Sequence, residues 1–232
     1  MNKKYEAKNR YSGITVDNYI NKRKSIKWDK EQSIFNFFFE ELGKDLKIID
    51  IPVGTGRFFE FYKSLNYDIT AVDISNDMLE MAKRNAPKNL NVTYQLGDAE
   101  SIIFSKKNFD CVVSARFLNW LPVNIYYKVL DNFKRLTREH LLIQVRLKEK
   151  APALEILNDL IHNLQFRKIK KSIIKTFFRL ENYNDYFVHS YSDTMEYIEE
   201  SFDLIAIREV DTRFKYSKFE KHTFYIIHCK KK

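Results

Sequence analysis

Lys47-Ile48-Ile49-Asp50-Ile51-Pro52-Val53-Gly54-Thr55-Gly56-Arg57 reads as a buried strand that ends in an acid, breaks into a glycine turn and feeds a helix near Phe58. Glycine lacks a Cβ, so its backbone can turn sharply and come close to a ligand. A strand, a glycine turn and a helix N-terminus in that order is where an α/β sheet holds a nucleotide-like group.

Working outward, residues 1–29 are polar and basic and carry Tyr5, Tyr11, Tyr19 and Trp28, the pattern of an arm or short helices over the core. Asp29 is an expected N-cap for a helix from Lys30 to Leu42, with Ile34, Phe35, Phe37, Phe38 and Leu42 inward and Gly43 as the stop. Beyond the first strand, Leu46–Ile51, a helix is expected over 56–64 and a second strand at Asp68–Asp73. Ser75 then caps a helix to about Asn85, closed by Pro87. Strands follow at Asn91–Leu96, Phe109–Ala115 and Leu141–Val145, with a helix at Val123–Leu136 between the last two. Strands alternating with helices imply βαβ units and a parallel sheet covered on both faces. The end of the chain differs. A helical region over about 151–181 and a short helix capped by Ser192 precede two strands, Asp203–Val210 and His222–Cys229, with no helix between them. The predicted fold is therefore α/β, a doubly wound, Rossmann-like sheet of seven strands, mostly parallel, with a C-terminal antiparallel hairpin. One domain is expected over 1–232: an arm and helices at 1–45, a ligand-binding core at 46–147, a helical insert at 148–202 and the hairpin at 203–232.

A dinucleotide fingerprint needs a third glycine where helix and strand pack closely, and that position holds the bulky Phe59. No Gly-Lys-Ser/Thr follows the turn, so a P-loop is excluded. Three acids at successive strand ends, Asp50, Asp73 and Asp98, line one crevice in an open α/β sheet. Asp73 stands 17 positions after Gly56 (73 − 56), where an acid can accept both hydroxyls of a ribose. Three carboxylates suit a ligand with an ammonium, a ribose and an exocyclic amine, and repel a pyrophosphate.

Asp50-Ile-Pro-Val-Gly-Thr-Gly-Arg57, Ala71-Val-Asp-Ile-Ser-Asn-Asp-Met-Leu-Glu-Met-Ala82 and Gly97-Asp-Ala-Glu100 with Phe109-Asp110 downstream resemble, in order and spacing, the motifs of class I S-adenosylmethionine-dependent methyltransferases. The resemblance covers about 46–145 and is nearest to the small-molecule branch. It implies S-adenosylmethionine as cofactor. Asp50 and the Gly54–Gly56 turn, with Pro52 and Arg57, would surround the methionine part. Asp73 would take the ribose, Ile74 and Met78 the adenine face, Asp98 and Ala99 the adenine amine edge, with Ala115 also at the cofactor. Pro52 departs from the usual glycine and has no N–H to offer.

The acceptor side is expected after strand four, at Ala115-Arg-Phe-Leu-Asn-Trp120, where Asn119 and Trp120 replace a His-His pair frequent in that branch. Arg116, Asn119, Trp120 and the arm residue Tyr19 are the candidates for a catalytic role, and Tyr11 and Arg23 for closure over the cofactor. None of the five histidines is spaced like a nucleophile–base pair or a metal site, so no metal is expected. Methyl transfer is an in-line displacement that depends chiefly on positioning.

The formal charge is +9, and residues 1–30 hold nine Lys/Arg against three acids. A basic segment at 166–179 reads as a lid over the acceptor, a face for an anionic ligand, RNA or a membrane surface, or a solvated helix face. No apolar run is long enough for a transmembrane helix, no h-region follows Met1, and Cys111 and Cys229 fall in apolar strands as buried thiols do, which predicts a cytoplasmic protein. The reading is a methyltransferase for a small-molecule acceptor at oxygen, nitrogen or carbon. Two others stay open: an RNA or protein methyltransferase, and a cofactor-binding protein that does not methylate (a regulator, a partner subunit or a cofactor-cleaving enzyme).

Overall fold

The computed structural model of the chain describes residues 26–103, 109–166 and 187–232. Helix α1 is Ile26–Leu42, β1 Lys47–Asp50, α2 Phe59–Ser64, β2 Asp68–Asp73, α3 Asn76–Asn85 and β3 Asn91–Leu96. The second half holds β4 Phe109–Ser114, a 3₁₀ turn at Leu118–Trp120, α4 Val123–Leu136, β5 Thr137–Lys150, α5 Ala153–Phe166, β6 His189–Ser190, α6 Tyr191–Glu199, β7 Phe202–Lys215 and β8 Glu220–Lys231. The sheet runs β3-β2-β1-β4-β5-β8-β7. Strands β1 to β5 pair in parallel, and β8 lies antiparallel between β5 and β7. This is the expected doubly wound sheet with its terminal hairpin. The two-residue β6, parallel to β5 at Leu147 and Lys148, is an addition too short to leave a periodic signal.

Alternation along the strands builds both covered faces. Ile48, Val113, Leu142 and Ile226 pack under α1, α2 and α3, with Phe35, Phe39, Phe58, Phe59 and Tyr62. Their neighbours Ile49, Val112, Ile143 and Ile227 pack on the other face against α4 and α6, with Tyr126, Phe133, Met195 and Ile198. The long hairpin is fastened by Arg146 of β5, whose guanidinium donates to His222 O (2.9 Å) and to Asp211 of β7 (3.0 Å). Both cysteines are buried free thiols, and burial pushes Cys229 up to about 12.

Three local expectations change. Helix α1 begins at Ile26, so Asp29 lies in its first turn, where an acid suits the dipole, and it is not the N-cap. Phe37 is exposed and Phe39 takes its place inward, because 35, 38, 39 and 42 share a helical face that 37 does not. Ser190 caps α6 in place of Ser192: its Oγ accepts the Asp193 N–H and donates to the Asp193 carboxylate, a reciprocal cap. Ser75 caps α3 as expected, accepting from Met78 N–H at 3.3 Å. The expected helical region over 151–181 is seen as α5, and its remainder from 167 lies outside the described residues.

The Phe39 ring meets Phe35, Phe58 and Tyr62 at centroid distances of 5.9, 5.3 and 5.1 Å and joins α1 to α2. Phe39→Ala should lower unfolding free energy by about 3–5 kcal/mol, read from urea denaturation.

Candidate functional site

Strands β2 and β3 are laid down on one side of β1, and β4 and β5 on the other. The carboxyl ends of β1 and β4 therefore flank the point where chain direction reverses, the place where open α/β sheets bind ligands. Asp50 and Asp73 close β1 and β2 there, and Gly97 N–H donates to Asp73 O (2.9 Å), which brings the Asp98 stretch alongside.

The glycine turn hangs on β2. Val53 N–H donates to Val72 O (2.8 Å), Gly54 N–H to Asp73 Oδ2 (2.9 Å), and Ser75 N–H to Asp73 Oδ1 (2.9 Å). The Asp73 carboxylate thus holds the turn and the start of α3 at once. Burial raises it to about 6, against the N–H donors of Ser75, Gly54 and Ile74. Asp50 is buried and accepts from Tyr62 Oη at 3.0 Å. Burial pushes it up to about 8; the Tyr62 hydroxyl opposes this, the neighbouring Asp73 adds to it, and Arg57 opposes it. Tyr62 was not legible as a site residue, since its position in α2 reads as core.

Gly54 and Gly56 both have positive φ, +57° and +75°. Among the described residues, a Cβ on Gly54 would meet nothing within 4 Å, whereas one on Gly56 would stand 2.6 Å from the Phe59 ring. Gly56 is thus bare because Phe59 fills its side of the turn, and Gly54 is bare toward open space. That open space, beside two carboxylates, is a cradle of the kind a bound nucleoside needs. Pro52, cis to Ile51, is half-buried. The Arg57 guanidinium turns to α1, donating to Gln32 Oε1 (2.9 Å), Glu31 Oε2 (3.0 Å) and Trp28 O (3.2 Å), so these contacts leave Arg57 to face the turn with its backbone.

On the β3 side, Asp98 Oδ1 accepts the Glu100 N–H (2.9 Å), and Asn132 of α4 donates to Ala99 O and Glu100 O (2.9 and 2.8 Å). Asn132 is a support that no local pattern announced. Met78 and Ala99 are buried and Ile74 is half-buried.

The acceptor side gathers around the end of β4. Ala115 is half-buried, and Arg116 follows with φ +55°, its N–H donating to Gln144 Oε1 (3.1 Å). The Arg116 guanidinium grips the buried Glu31 through both carboxylate oxygens, at 2.7 and 3.1 Å, so this candidate for a catalytic role is already ion-paired. Asn119 is buried and Trp120 half-buried. Asn119 O accepts the Phe187 N–H (2.8 Å) where the chain returns to the sheet. Among the described residues, Gln144 Nε2 and Asn119 Oδ1 are buried with no hydrogen-bond partner. His189 stacks on Tyr126 with centroids 3.6 Å apart and points Nε2 at Leu118 O (3.3 Å). Burial lowers its pKa to about 4, so the ring is neutral near pH 7. Tyr11, Tyr19, Arg23 and the basic segment from 167 onward lie outside the described residues. The described residues contain no group of three or more His, Cys, Asp or Glu able to hold a metal ion, and no helix long and apolar enough to cross a membrane.

Fold and site together define a Rossmann-like α/β protein with two buried acids at the carboxyl end of its sheet. Residues 48–140 match the family described as a methyltransferase domain. The chain is 32% identical over 92 residues to a demethylmenaquinone methyltransferase of Renibacterium salmoninarum, covering 40% of this chain and 37% of that protein. It is 38% identical over 79 residues to a malonyl-[acyl-carrier protein] O-methyltransferase of Halalkalibacterium halodurans, covering 32% and 29%. It thus spans about a third of the length of these two curated relatives. In fold, it is similar to the magnesium protoporphyrin IX methyltransferase of Synechocystis PCC 6803 solved with S-adenosylhomocysteine bound: TM-score 0.62, 13% identity, covering 96% of this chain and 95% of the other. Over residues 48–140 the chain is thus similar to methyltransferases, and its fold is that of a structure solved with S-adenosylhomocysteine bound.

Gly54→Ala should cost only about 1 kcal/mol of stability, from its left-handed φ alone, yet weaken S-adenosylhomocysteine binding. Gly56→Ala should cost about 2–3 kcal/mol, because the Phe59 ring must move as well; chemical denaturation and calorimetry separate the two. Asp50 titrates near 8 in the folded protein against 3.8 unfolded. The folded state therefore keeps a proton that the unfolded state loses, and stability falls as pH rises from about 4 to about 8. Asp50→Asn should flatten that part of the melting temperature–pH profile of the ligand-free protein.

Proposed function

We propose that this protein transfers a methyl group from S-adenosylmethionine to a small-molecule acceptor, at oxygen, nitrogen or carbon. The observation that carries the cofactor side of this reading is the pair of buried carboxylates, Asp50 and Asp73, at two strand ends beside the open face of Gly54. In this reading Asp50 faces the ammonium of the methionine part and is held by Tyr62. Asp73 has already accepted Gly54 and Ser75 N–H, and its remaining lone pairs take the ribose hydroxyls. Asp98 receives the adenine amine, with Ile74, Met78 and Ala99 packing against the base. Pro52, Gly54, Gly56 and the Arg57 backbone form the rim, and Ala115 the far wall.

When bound, the cofactor supplies a methyl group made electrophilic by its sulfonium. The chain contributes orientation and exclusion of water, the two effects an in-line displacement needs most. His189 does not act as base in this reading, because its ring stacks on Tyr126 and directs Nε2 at Leu118 O. The acceptor binds at the mouth formed by Arg116, Asn119 and Trp120, with 148–202 as the covering insert of a single domain. Gln144 Nε2 and Asn119 Oδ1 support that placement: a buried polar atom without a partner costs about 1–3 kcal/mol, a cost that a polar acceptor would offset. Relatives named for demethylmenaquinone and malonyl-[acyl-carrier protein] favour a small acceptor group over RNA.

Calorimetry with S-adenosylmethionine should give saturable one-to-one binding, weakened by about 2–3 kcal/mol in Asp73→Asn, which loses one of two carboxylate oxygens. Incubation with a metabolite extract should yield S-adenosylhomocysteine and a product 14 Da heavier than its precursor (about the mass of one CH₂, from the stoichiometry of methyl-for-proton exchange). Methylthioadenosine without S-adenosylhomocysteine would point to a cofactor-cleaving enzyme instead, and methyl label found only in added RNA would move the acceptor to nucleic acid.

A further inference from the structure

We infer that Glu31 is a positioning residue that couples the cofactor turn to the acceptor mouth, an inference that rests on the function proposed above. Glu31 is 0% exposed, an unusual place for a carboxylate on the first turns of a helix. It stays there because two arginines reach it from opposite parts of the chain. Arg57, the residue after Gly56, donates Nη1 to Oε2 at 3.0 Å; Arg116, two residues beyond β4, donates Nε to Oε2 at 2.7 Å and Nη2 to Oε1 at 3.1 Å. The Trp28 ring, one turn earlier on α1, lies against both guanidinium groups, 3.6 Å from Arg57 Cζ and 4.6 Å from Arg116 Cζ. One buried anion therefore joins α1, the glycine turn and the segment after β4.

The joint has a direction. Arg116 holds a left-handed backbone, φ +55°, which a residue with a side chain adopts at a cost and keeps only when its surroundings fix it. Its N–H donates to Gln144 Oε1 and its guanidinium holds Glu31 at both carboxylate oxygens, and these contacts fix it. The same Gln144 carries the unpartnered Nε2 at the acceptor side. Arg57 is fixed by Glu31 together with Gln32 and the Trp28 carbonyl, so the turn carrying Gly54 and Gly56 stands on the same anchor. Bidentate arginine–carboxylate pairing is geometrically demanding, and in a buried pair the loss of one partner leaves a charge unmatched. Order at the cofactor turn is then felt at Arg116, and by thermodynamic reciprocity the reverse.

The test uses the full-length chain and S-adenosylhomocysteine as probe, with affinity measured by calorimetry and melting temperature measured in parallel. Arg116→Ala, on the acceptor side, should weaken S-adenosylhomocysteine about five- to tenfold at a temperature where its melting curve shows it fully folded. Glu31→Gln should weaken it at least as much. The double variant should be no weaker than Glu31→Gln alone, because both remove one coupling. Arg116→Lys should not restore affinity, since an ammonium cannot make the two-point contact. In a Trp120→Phe background, where Trp28 is the remaining tryptophan of the two in the chain, the probe should shift Trp28 emission, and Arg116→Ala should diminish that shift. Parent-like affinity in Arg116→Ala, or effects of the two substitutions that simply add, would overturn the coupling and leave Glu31 as a fastener of the fold. If Glu31→Gln does not fold, the Arg116 pair and the emission readout decide alone. Failure of the unmutated protein to bind the probe is a different result, since it removes the cofactor reading itself.

Discussion

The carboxylate of Asp73 is the constraint on which the site depends. It closes β2, accepts the N–H of Gly54 through one oxygen and that of Ser75 through the other, and so fixes the glycine turn and the start of α3. Its own carbonyl receives Gly97 N–H, which draws in the loop that follows β3. Three segments separated in sequence are thereby referred to one residue. Parallel pairing of β1 with β2 and of β2 with β3 brings the strand ends level, and Asp73 turns that alignment into a shaped cradle.

The arrangement opposes the usual rules of a folded core. Asp50 and Asp73 are both buried, repel each other, and are held above the ordinary carboxylate range chiefly by burial. A sheet built for stability alone would place apolar residues at these strand ends. Conflicts of this kind collect at sites shaped for a ligand, and they are sustained by the well-packed layers around them. Here those layers are the aromatic cluster of α1 and α2 on one face and the α4–α6 packing on the other. Tyr62 belongs to both worlds, its ring in the core and its hydroxyl on Asp50.

Where the residues were misread locally, the competing force can be named. Phe37 and Phe39 are equally apolar and two apart; helical geometry sets Phe39 on the face of Phe35, Phe38 and Leu42 and leaves Phe37 off it. Asp29 and Ser192 are good capping residues by type, but α1 starts earlier, and Ser190 gains a reciprocal bond with Asp193. Arg57 follows the glycine turn and Arg116 follows β4, the stretches read from the sequence as the cofactor side and the acceptor side. The structure turns both guanidinium groups onto Glu31, a residue with nothing in its neighbours to mark it.

The order of elements, the parallel core with its terminal hairpin, the turn at Gly54–Gly56 and the acids at three strand ends were all legible in the chain itself. Each is written in spacing over a few residues, with the two-residue period of strands and the special tolerance of glycine as the physical code. Tertiary structure alone decided what joins those pieces. The contacts of Glu31 with residues 57 and 116, of Tyr62 with Asp50, of Asn132 with the loop at 99–100, and of Gln144 with Arg116 all span separations over which no local periodicity operates. Such pairs are selected by burial: a polar group taken out of water must find a partner wherever the fold offers one, and the chain carries no local record of where that will be.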